Sequence, residues 1–192
     1  DSTNDKVEIN STGNFSLVRG NINANNTNGK VYMNAEAESS KIDGDLNVAN
    51  NIGPVFMLSN NIHSYADGYI VATGNTGTVN ISATGIASKA DGFITALPNS
   101  NTSSILASGD SSNANGYIYN DFGGVATINA SGILSQIYGY VENDNANATS
   151  SILAVGTASS ITGFAITDGN SACPSSLIEA DGNGSTISGG AV

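Results

Sequence analysis

A repeat of about 24 residues runs along the whole 192-residue chain, and it limits the folds that the chain can adopt. The phrase Ala-Asp-Gly-Tyr-Ile at residues 66–70 returns 24 residues later as Ala-Asp-Gly-Phe-Ile at residues 90–94. Its glycine recurs in eight copies, at Gly20, Gly44, Gly68, Gly92, Gly116, Gly139, Gly163 and Gly189. A period of this length is typical of stacked repeat proteins, in which each repeat buries its apolar side chains against its neighbours.

Each repeat contains two β-strand patterns. Around the repeated glycine, small or aliphatic residues occupy every second position, as on the inner face of a strand. The residues two positions after this glycine are Ile22, Leu46, Ile70, Ile94, Ile118, Val141, Ala165 and Ala191. A second strand, in the other half of each repeat, is centred on Ile9, Met33, Met57, Ile81, Ile105, Ile128, Ile152 and Ile178.

These patterns predict an all-β protein with one domain over residues 1–192. The predicted fold is a β-solenoid of stacked β-arches, with eight coils of about 24 residues and two strands per coil. Equivalent strands would pair in parallel, in-register sheets at a spacing of ~4.8 Å. Two closely spaced sheets are favoured, although a short third strand after the turn would make each coil three-sided.

The charge distribution argues against two classes of partner. The formal net charge is −11 and no Lys or Arg follows Lys89, so there is no basic patch for a nucleic acid. No apolar run approaches the ~20 residues that a membrane-spanning helix needs, so no membrane-spanning segment is predicted.

The sequence predicts no enzyme. His63 is the only histidine and there is one cysteine, so neither a Ser-His-Asp triad nor a His/Cys zinc cluster can be assembled. Arg19 is the only arginine and the loops are short, unlike the long-loop grooves of β-helix enzymes that cleave polysaccharides. Ice binding would need a flat outward row of threonines, and the best candidate row here mixes Thr with Glu, Asn, Val and Asp.

Aromatic residues directly follow the repeated glycine in five consecutive repeats, as Tyr69, Phe93, Tyr117, Tyr140 and Phe164. Stacking would align these rings as a ladder on the outer face of one sheet. The ladder either only stabilises the register of the coils, contacts another subunit or binds a sugar. Leu58, Leu106 and Leu153 are expected to face outward on the opposite sheet.

Three aspartates, Asp43, Asp67 and Asp91, precede the glycine in neighbouring repeats. Stacked carboxylates repel each other, and calcium, a hard cation that takes oxygen ligands, would offset this repulsion. The other interpretation is that the three carboxylates are solvated and hold no metal. Calcium is the one cofactor that the sequence suggests.

The chain has the composition of an extracellular or cell-surface protein. Its N-x-[ST] triplets are candidate glycosylation sites at Asn10, Asn14, Asn25, Asn80, Asn101, Asn129, Asn147 and Asn183. The single cysteine, Cys173, cannot form an intramolecular disulfide. It is either a free thiol or a link to another subunit.

The first and last strands are predicted to join copies of the chain, because no polar cap is visible in the sequence. The residues expected at this axial contact are Val7, Ile9 and Ser11 on one side and Ile187, Ala191 and Val192 on the other. A head-to-tail contact that does not close generates a filament. A monomer is the competing expectation.

Two groups of surface proteins show similar patterns. The stretches TVNISATGIASKADGFITA and ATINASGILSQIYGYVEN resemble the coils of filamentous-haemagglutinin-type adhesins. The whole chain, rich in Gly, Ala, Asn and Ser, is similar to amyloid-like subunits of extracellular sheaths and fibres, such as the sheaths of filamentous methanogenic archaea. The second resemblance implies subunits stacked through β-arches into hoops or tubes, sometimes with disulfide cross-links.

The sequence therefore predicts an extracellular structural protein whose partner is itself, assembled head-to-tail into a filament, sheath or surface layer. The alternative is a cell-surface adhesin or carbohydrate-binding solenoid whose partners are surface glycans.

Overall fold

The residues that the structure describes form sixteen β-strands and no helix. The structure is a computed structural model, and it describes residues 6–25, 29–74, 77–97, 102–121, 124–144, 148–167 and 175–191. Successive strands belong alternately to two parallel sheets of eight strands each. The prediction of an all-β solenoid with two strands per coil is confirmed. Within the described ranges every strand lies in one of these two sheets, so the three-sided coil is not found.

Sheet A contains the odd-numbered strands, in chain order: β1 (Val7–Ser11), β3 (Val31–Glu36), β5 (Val55–Asn60), β7 (Val79–Thr84), β9 (Ser103–Ser108), β11 (Val125–Ser131), β13 (Thr149–Val155) and β15 (Ser175–Asp181). Sheet B contains β2 (Leu17–Asn25), β4 (Lys41–Ala49), β6 (Tyr65–Thr73), β8 (Lys89–Leu97), β10 (Asn113–Asn120), β12 (Gln136–Asn143), β14 (Ser160–Thr167) and β16 (Thr186–Ala191).

We call each consecutive pair of strands a rung, numbered 1 to 8 from β1 and β2 to β15 and β16. Residues paired in register across the rungs form a column. Ile105, for example, pairs with Ile81 on one side and with Ile128 on the other. The eight rungs complete about seven turns of about 24 residues, so the predicted eight coils correspond to eight rungs.

The core lies between the two sheets and is mainly apolar, with buried polar side chains such as Ser103 and Asn120, which hydrogen-bond to each other at 2.8 Å. Sheet A contributes a column that contains Met33, Ile105 and Ile128, and sheet B contributes a column that contains Leu46 and Ile118. All five side chains are 0% exposed. The inward and outward positions alternate along each strand, as the period-2 pattern predicts.

The repeated glycine allows the sheets and rungs to approach closely. A Cβ added at Gly116 would overlap the carbonyl oxygen of Gly92 in the rung below, and it would lie 2.8 Å from Cδ1 of Ile105 in the opposite sheet. The φ angle of Gly116 is +143°, which residues with a side chain rarely adopt. The glycine column is therefore the groove into which the isoleucines of sheet A pack.

The two strands of a rung are joined by a turn with a left-handed residue, which carries a side chain in rungs 1 to 7 and is Gly184 in rung 8. Ser111 and Leu134 have φ angles of 60° and 59° in equivalent turns, although this conformation costs a residue with a side chain about 1–2 kcal/mol. The Ser111 N–H donates to the Ile133 carbonyl of the next turn at 2.7 Å. Hydrogen bonds between stacked turns thus hold a conformation that the residue types do not favour.

A serine follows this left-handed residue in every repeat, at Ser16, Ser40, Ser64, Ser88, Ser112, Ser135, Ser159 and Ser185. Ser112 is fully buried. Its Oγ lies 3.0 Å from the carbonyl oxygen of Ser131 in the next rung and 3.5 Å from that of Ala107 in its own rung. The Ser131 carbonyl also accepts from the Gly109 N–H at 2.8 Å, so the bond gives the buried Ser112 hydroxyl an acceptor and ties two rungs together where the chain crosses between sheets.

We expect Ser112→Ala to lower the free energy of unfolding by about 1 kcal/mol, because the buried hydrogen bond between the Ser112 hydroxyl and the next rung is lost. The control is Ser111→Ala, at an exposed position where Ala87 stands in another rung with the same left-handed φ. That variant should change stability by less than about 0.5 kcal/mol. Urea unfolding followed by circular dichroism measures both; equal losses would show that the hydroxyl of Ser112 contributes nothing specific.

Candidate assembly surfaces

The five predicted aromatic residues lie in one column on the outer face of sheet B. Ring centroids are 4.9 Å apart for Tyr69 and Phe93, 4.6 Å for Phe93 and Tyr117, and 5.0 Å for Tyr117 and Tyr140. Phe164 is next in register and is 52% exposed. The structure therefore brings together the ladder that the sequence predicts.

Stacking along the column decides which part of each ring is accessible. Phe93 and Tyr117 each have a ring neighbour on both sides, with interplanar angles of 12° to 33° along the ladder. Their faces are therefore covered by other rings, and their edges point to solvent. Sugars pack on the faces of aromatic rings, so the middle of the ladder suits a protein contact better than a sugar contact.

Two phenol groups, one in the ladder and one beside it, are held by carboxylates of the next rung. The Tyr117 hydroxyl donates to Glu142 Oε2 at 2.7 Å, and the Tyr119 hydroxyl donates to Asp144 Oδ2 at 2.9 Å. Burial and the bond to Glu142 raise the pKa of Tyr117 above its ordinary value. The bond to Asp144 raises the pKa of Tyr119 to about 12. Both phenols therefore stay protonated and remain donors at neutral pH.

Each of the three suggested calcium ligands has a partner in the protein. Arg19 lies 2.8 Å from Asp43, Lys89 lies 2.8 Å from Asp91, and Tyr65 donates to Asp67 at 3.0 Å. The Arg19 guanidinium lowers the pKa of Asp43. No group of three or more His, Cys, Asp or Glu side chains within the described ranges is arranged to hold a metal. Calcium binding stays a prediction.

A cation–aromatic stack accompanies these ion pairs in the adjacent column. The ammonium groups of Lys41 and Lys89 lie 4.9 Å and 5.0 Å from the centroid of the Tyr65 ring, one from the rung below and one from the rung above. Such contacts contribute about 0.5–1 kcal/mol each at exposed sites. The repeat does not reveal this stack, because lysine stands in this column in only two rungs and tyrosine in only one.

The axial residues predicted from the sequence lie on the two outermost rungs. Val7, Ile9 and Ser11 are partly exposed at rung 1, whereas Ile187 is 49% exposed and Ala191 is also exposed at rung 8. Val192 lies outside the described residues. The outer edges of these two rungs have no pairing partner among the residues that the structure describes.

Backbone groups on the two outer edges point away from the stack in an alternating pattern. Val7 N–H donates to the Lys30 carbonyl of the next rung at 2.9 Å. The backbone N–H and C=O groups of Glu8 and Asn10 therefore point the other way, to the open edge of rung 1. At the other end Ser175 N–H donates to the Ala148 carbonyl of the preceding rung at 3.2 Å. The backbone N–H and C=O groups of Ile178, three residues on, therefore point to the open edge of rung 8.

The candidate modification sites differ in accessibility. Asn10, Asn14, Asn25 and Asn183 are exposed, whereas Asn80 and Asn129 are half-buried on the outer face of sheet A. Asn101, Asn147 and Cys173 lie outside the described residues. Glycosylation and the intersubunit disulfide stay predictions. His63 is exposed in the turn of rung 3.

No protein-family model, curated protein or solved structure matches this chain. The parallel two-sheet stack supports the coarser part of the sequence-based resemblance, namely a β-solenoid repeat protein. In the part of the chain that the structure describes, no helix is long and apolar enough to cross a membrane.

Proposed function

We propose that the protein is an extracellular structural protein that assembles head-to-tail into a filament, sheath or surface layer. The observation that carries this proposal is the match between the two outer edges. If β1 of one copy continues the sheet beyond β15 of another, Ile9 falls next to Ile178 and the core column continues. In sheet B, Gly20 falls next to Gly189, so the glycine groove also continues.

The backbone groups of the two edges are complementary in this arrangement. The backbone groups of Glu8 and Asn10 that point to the open edge of β1 flank the backbone groups of Ile178 that point to the open edge of β15. The joint can therefore form the same parallel hydrogen bonds that connect neighbouring rungs within one copy. Unpaired strand edges are templates for pairing with another chain.

At the joint, the outward-facing side chains of the described strands do not fall next to side chains of like charge. Glu8 falls next to Leu177, Glu179 next to Asn10, and Arg19 next to Ser188. Leu177 is 46% exposed at the edge of rung 8 and would lose part of that exposure in the stack. Burial of the exposed core residues at both edges provides the driving force.

We expect the unaltered chain to form filaments or sheets in negative-stain electron microscopy, and Asn10→Pro to prevent their formation. The proline removes one N–H from the open edge of β1 while the N–H groups that bind β3 remain, as edge strands allow. The variant should give particles about 40 Å long, from eight rungs at ~4.8 Å. The matched control, Asn10→Ala, removes the same side chain and sequon but keeps the N–H, and should still assemble.

One outcome tests whether the chain assembles, and another tests whether the joint lies between the outer edges of rungs 1 and 8. Uniform single particles of the unaltered chain would count against assembly, and normal filaments of Asn10→Pro would place the contact elsewhere. Loss of filaments in the presence of reductant would indicate that Cys173 links the subunits.

A carbohydrate-binding adhesin is the second candidate, and the exposure of two rings favours it. Tyr138 and Phe164 are 54% and 52% exposed, so each presents a large part of its ring to solvent. Glycan-array binding by the Asn10→Pro variant, lost on Phe164→Ala, would support this function.

A further inference from the structure

The outer face of sheet B has its aromatic residues at its centre. We name as the aromatic face the four outward columns that contain Lys89, Asp91, Phe93 and Thr95. The aromatic column covers rungs 3 to 7, with Tyr117 in rung 5 as its middle member. Asp45 in rung 2 and Gly190 in rung 8 flank it at equal distances.

Charge on this face is confined almost entirely to one half. In rungs 2 to 4 the four columns carry Lys41, Asp43, Asp45, Asp67, Lys89 and Asp91, whereas in rungs 6 to 8 they carry Glu142 as their one charged residue. The second half instead presents hydroxyl and amide groups. Polar groups of this kind can bond to the charges of the first half without adding charge.

We infer that the aromatic face pairs with the same face of a second copy, antiparallel, around a two-fold axis that passes through Tyr117. The axis runs along the strand direction, so each column meets itself and rung 4 lies opposite rung 6, rung 3 opposite rung 7 and rung 2 opposite rung 8. Such a contact is isologous and closed.

This arrangement gives every carboxylate of the four columns but one a hydroxyl donor across the interface. The pairs are Asp43 with Ser188, Asp67 with Thr162, Asp91 with Tyr138, and Glu142 with Thr95. Asp45 is the exception and lies opposite Gly190. Lys89 lies opposite the amide of Gln136, which can accept a hydrogen bond. Charged groups buried at an interface are costly unless they find such partners.

The apolar residues match in the same arrangement. Tyr69 lies opposite Phe164, Phe93 opposite Tyr140, and Val71 opposite Ile166 in the next column. Ring edges that point to solvent in one copy would then pack against those of the other. The contact would remove the most exposed ring of the ladder, Phe164, from water.

The parallel alternative is less favourable. A two-fold axis along the solenoid would place Asp45 opposite Asp45 of the second copy, which repel each other. It would also place Asp67 opposite Val71, an apolar partner that offers no hydrogen bond. The antiparallel pair avoids both contacts.

The aromatic face is small for a specific protein interface. Seven rungs at ~4.8 Å and four columns cover roughly 29 by 20 Å, so the pair would bury about 1,100 Å² in total, near the lower limit for specific interfaces. A single pair should therefore be weak, and repetition along a filament should strengthen it. The inference does not depend on head-to-tail assembly, because the two surfaces are different.

Chemical cross-linking tests the antiparallel pair in a chain that carries Asn10→Pro and Cys173→Ser, so that axial assembly and the native thiol do not contribute. Val71→Cys and Ile166→Cys are made separately, and both keep all five rings. A short bismaleimide should cross-link a mixture of the two variants into covalent dimers. Neither variant alone should form covalent dimers, because copies of one residue lie about four rungs, or ~19 Å, apart.

A third variant, Tyr69→Cys, identifies the parallel alternative. It should give no covalent dimer by itself in the antiparallel pair, whereas a parallel pair would place its two thiols opposite each other. Cross-linking of Tyr69→Cys alone would overturn the inference. Absence of cross-linked dimers in the mixture, up to the solubility limit of the protein, would overturn it as well, whatever the microscopy shows about head-to-tail filaments.

Discussion

Replacing Gly116 by alanine is expected to lower the free energy of unfolding by about 3–5 kcal/mol. The new methyl group would overlap the carbonyl oxygen of Gly92, and backbone of a neighbouring rung cannot move aside as a flexible side chain can. The φ angle of +143° adds strain of about 1–3 kcal/mol for any residue with a side chain. Urea unfolding monitored by far-ultraviolet circular dichroism measures the loss.

Gly20→Ala is the matched control, because it separates backbone strain from the steric overlap. Gly20 stands in the same column with a φ of +141°, yet a Cβ there meets nothing within 4 Å, since rung 1 has no described rung below it. This variant should lose only the strain contribution. Equal losses for the two variants would show that the close approach between rungs is not what requires glycine at residue 116.

Replacing Ile105 by alanine is expected to cost about 3 kcal/mol, within the usual range for a fully buried isoleucine. Ile105 is 0% exposed, and its Cδ1 occupies the groove over Gly116. No larger group can fill the space from the other sheet, because the facing position is glycine. The cavity should therefore persist and keep the loss above the lower end of that range.

Leu106→Ala provides the control from the adjacent position. Leu106 points outward from the same strand and is only half-buried, so its truncation should cost less than about 1 kcal/mol. A larger loss at Leu106 than at Ile105 would contradict the assignment of inner and outer faces. The same denaturation experiment compares the two variants directly.

The period of the sequence determined most of the architecture. Stacking at a fixed step of about 24 residues decides which residues share a column, and alternation decides which columns face inward. The core position of Ile105, the two-sheet register and the aromatic ladder therefore followed from the sequence alone. The partners of the chain, its location and its modifications remain predictions, because periodicity constrains packing and carries no information about a ligand.

Only the tertiary structure decided which contacts the surface and turn side chains make. The sequence showed a serine at residue 112 and its equivalents, but not that the hydroxyl donates to a carbonyl of the next rung. It also did not show that Tyr117 reaches diagonally to Glu142, or that neighbouring rings cover the faces of Phe93. Column membership follows from residue spacing, whereas these contacts depend on side-chain rotamers and on the separation of the rungs, which exist only in the folded stack.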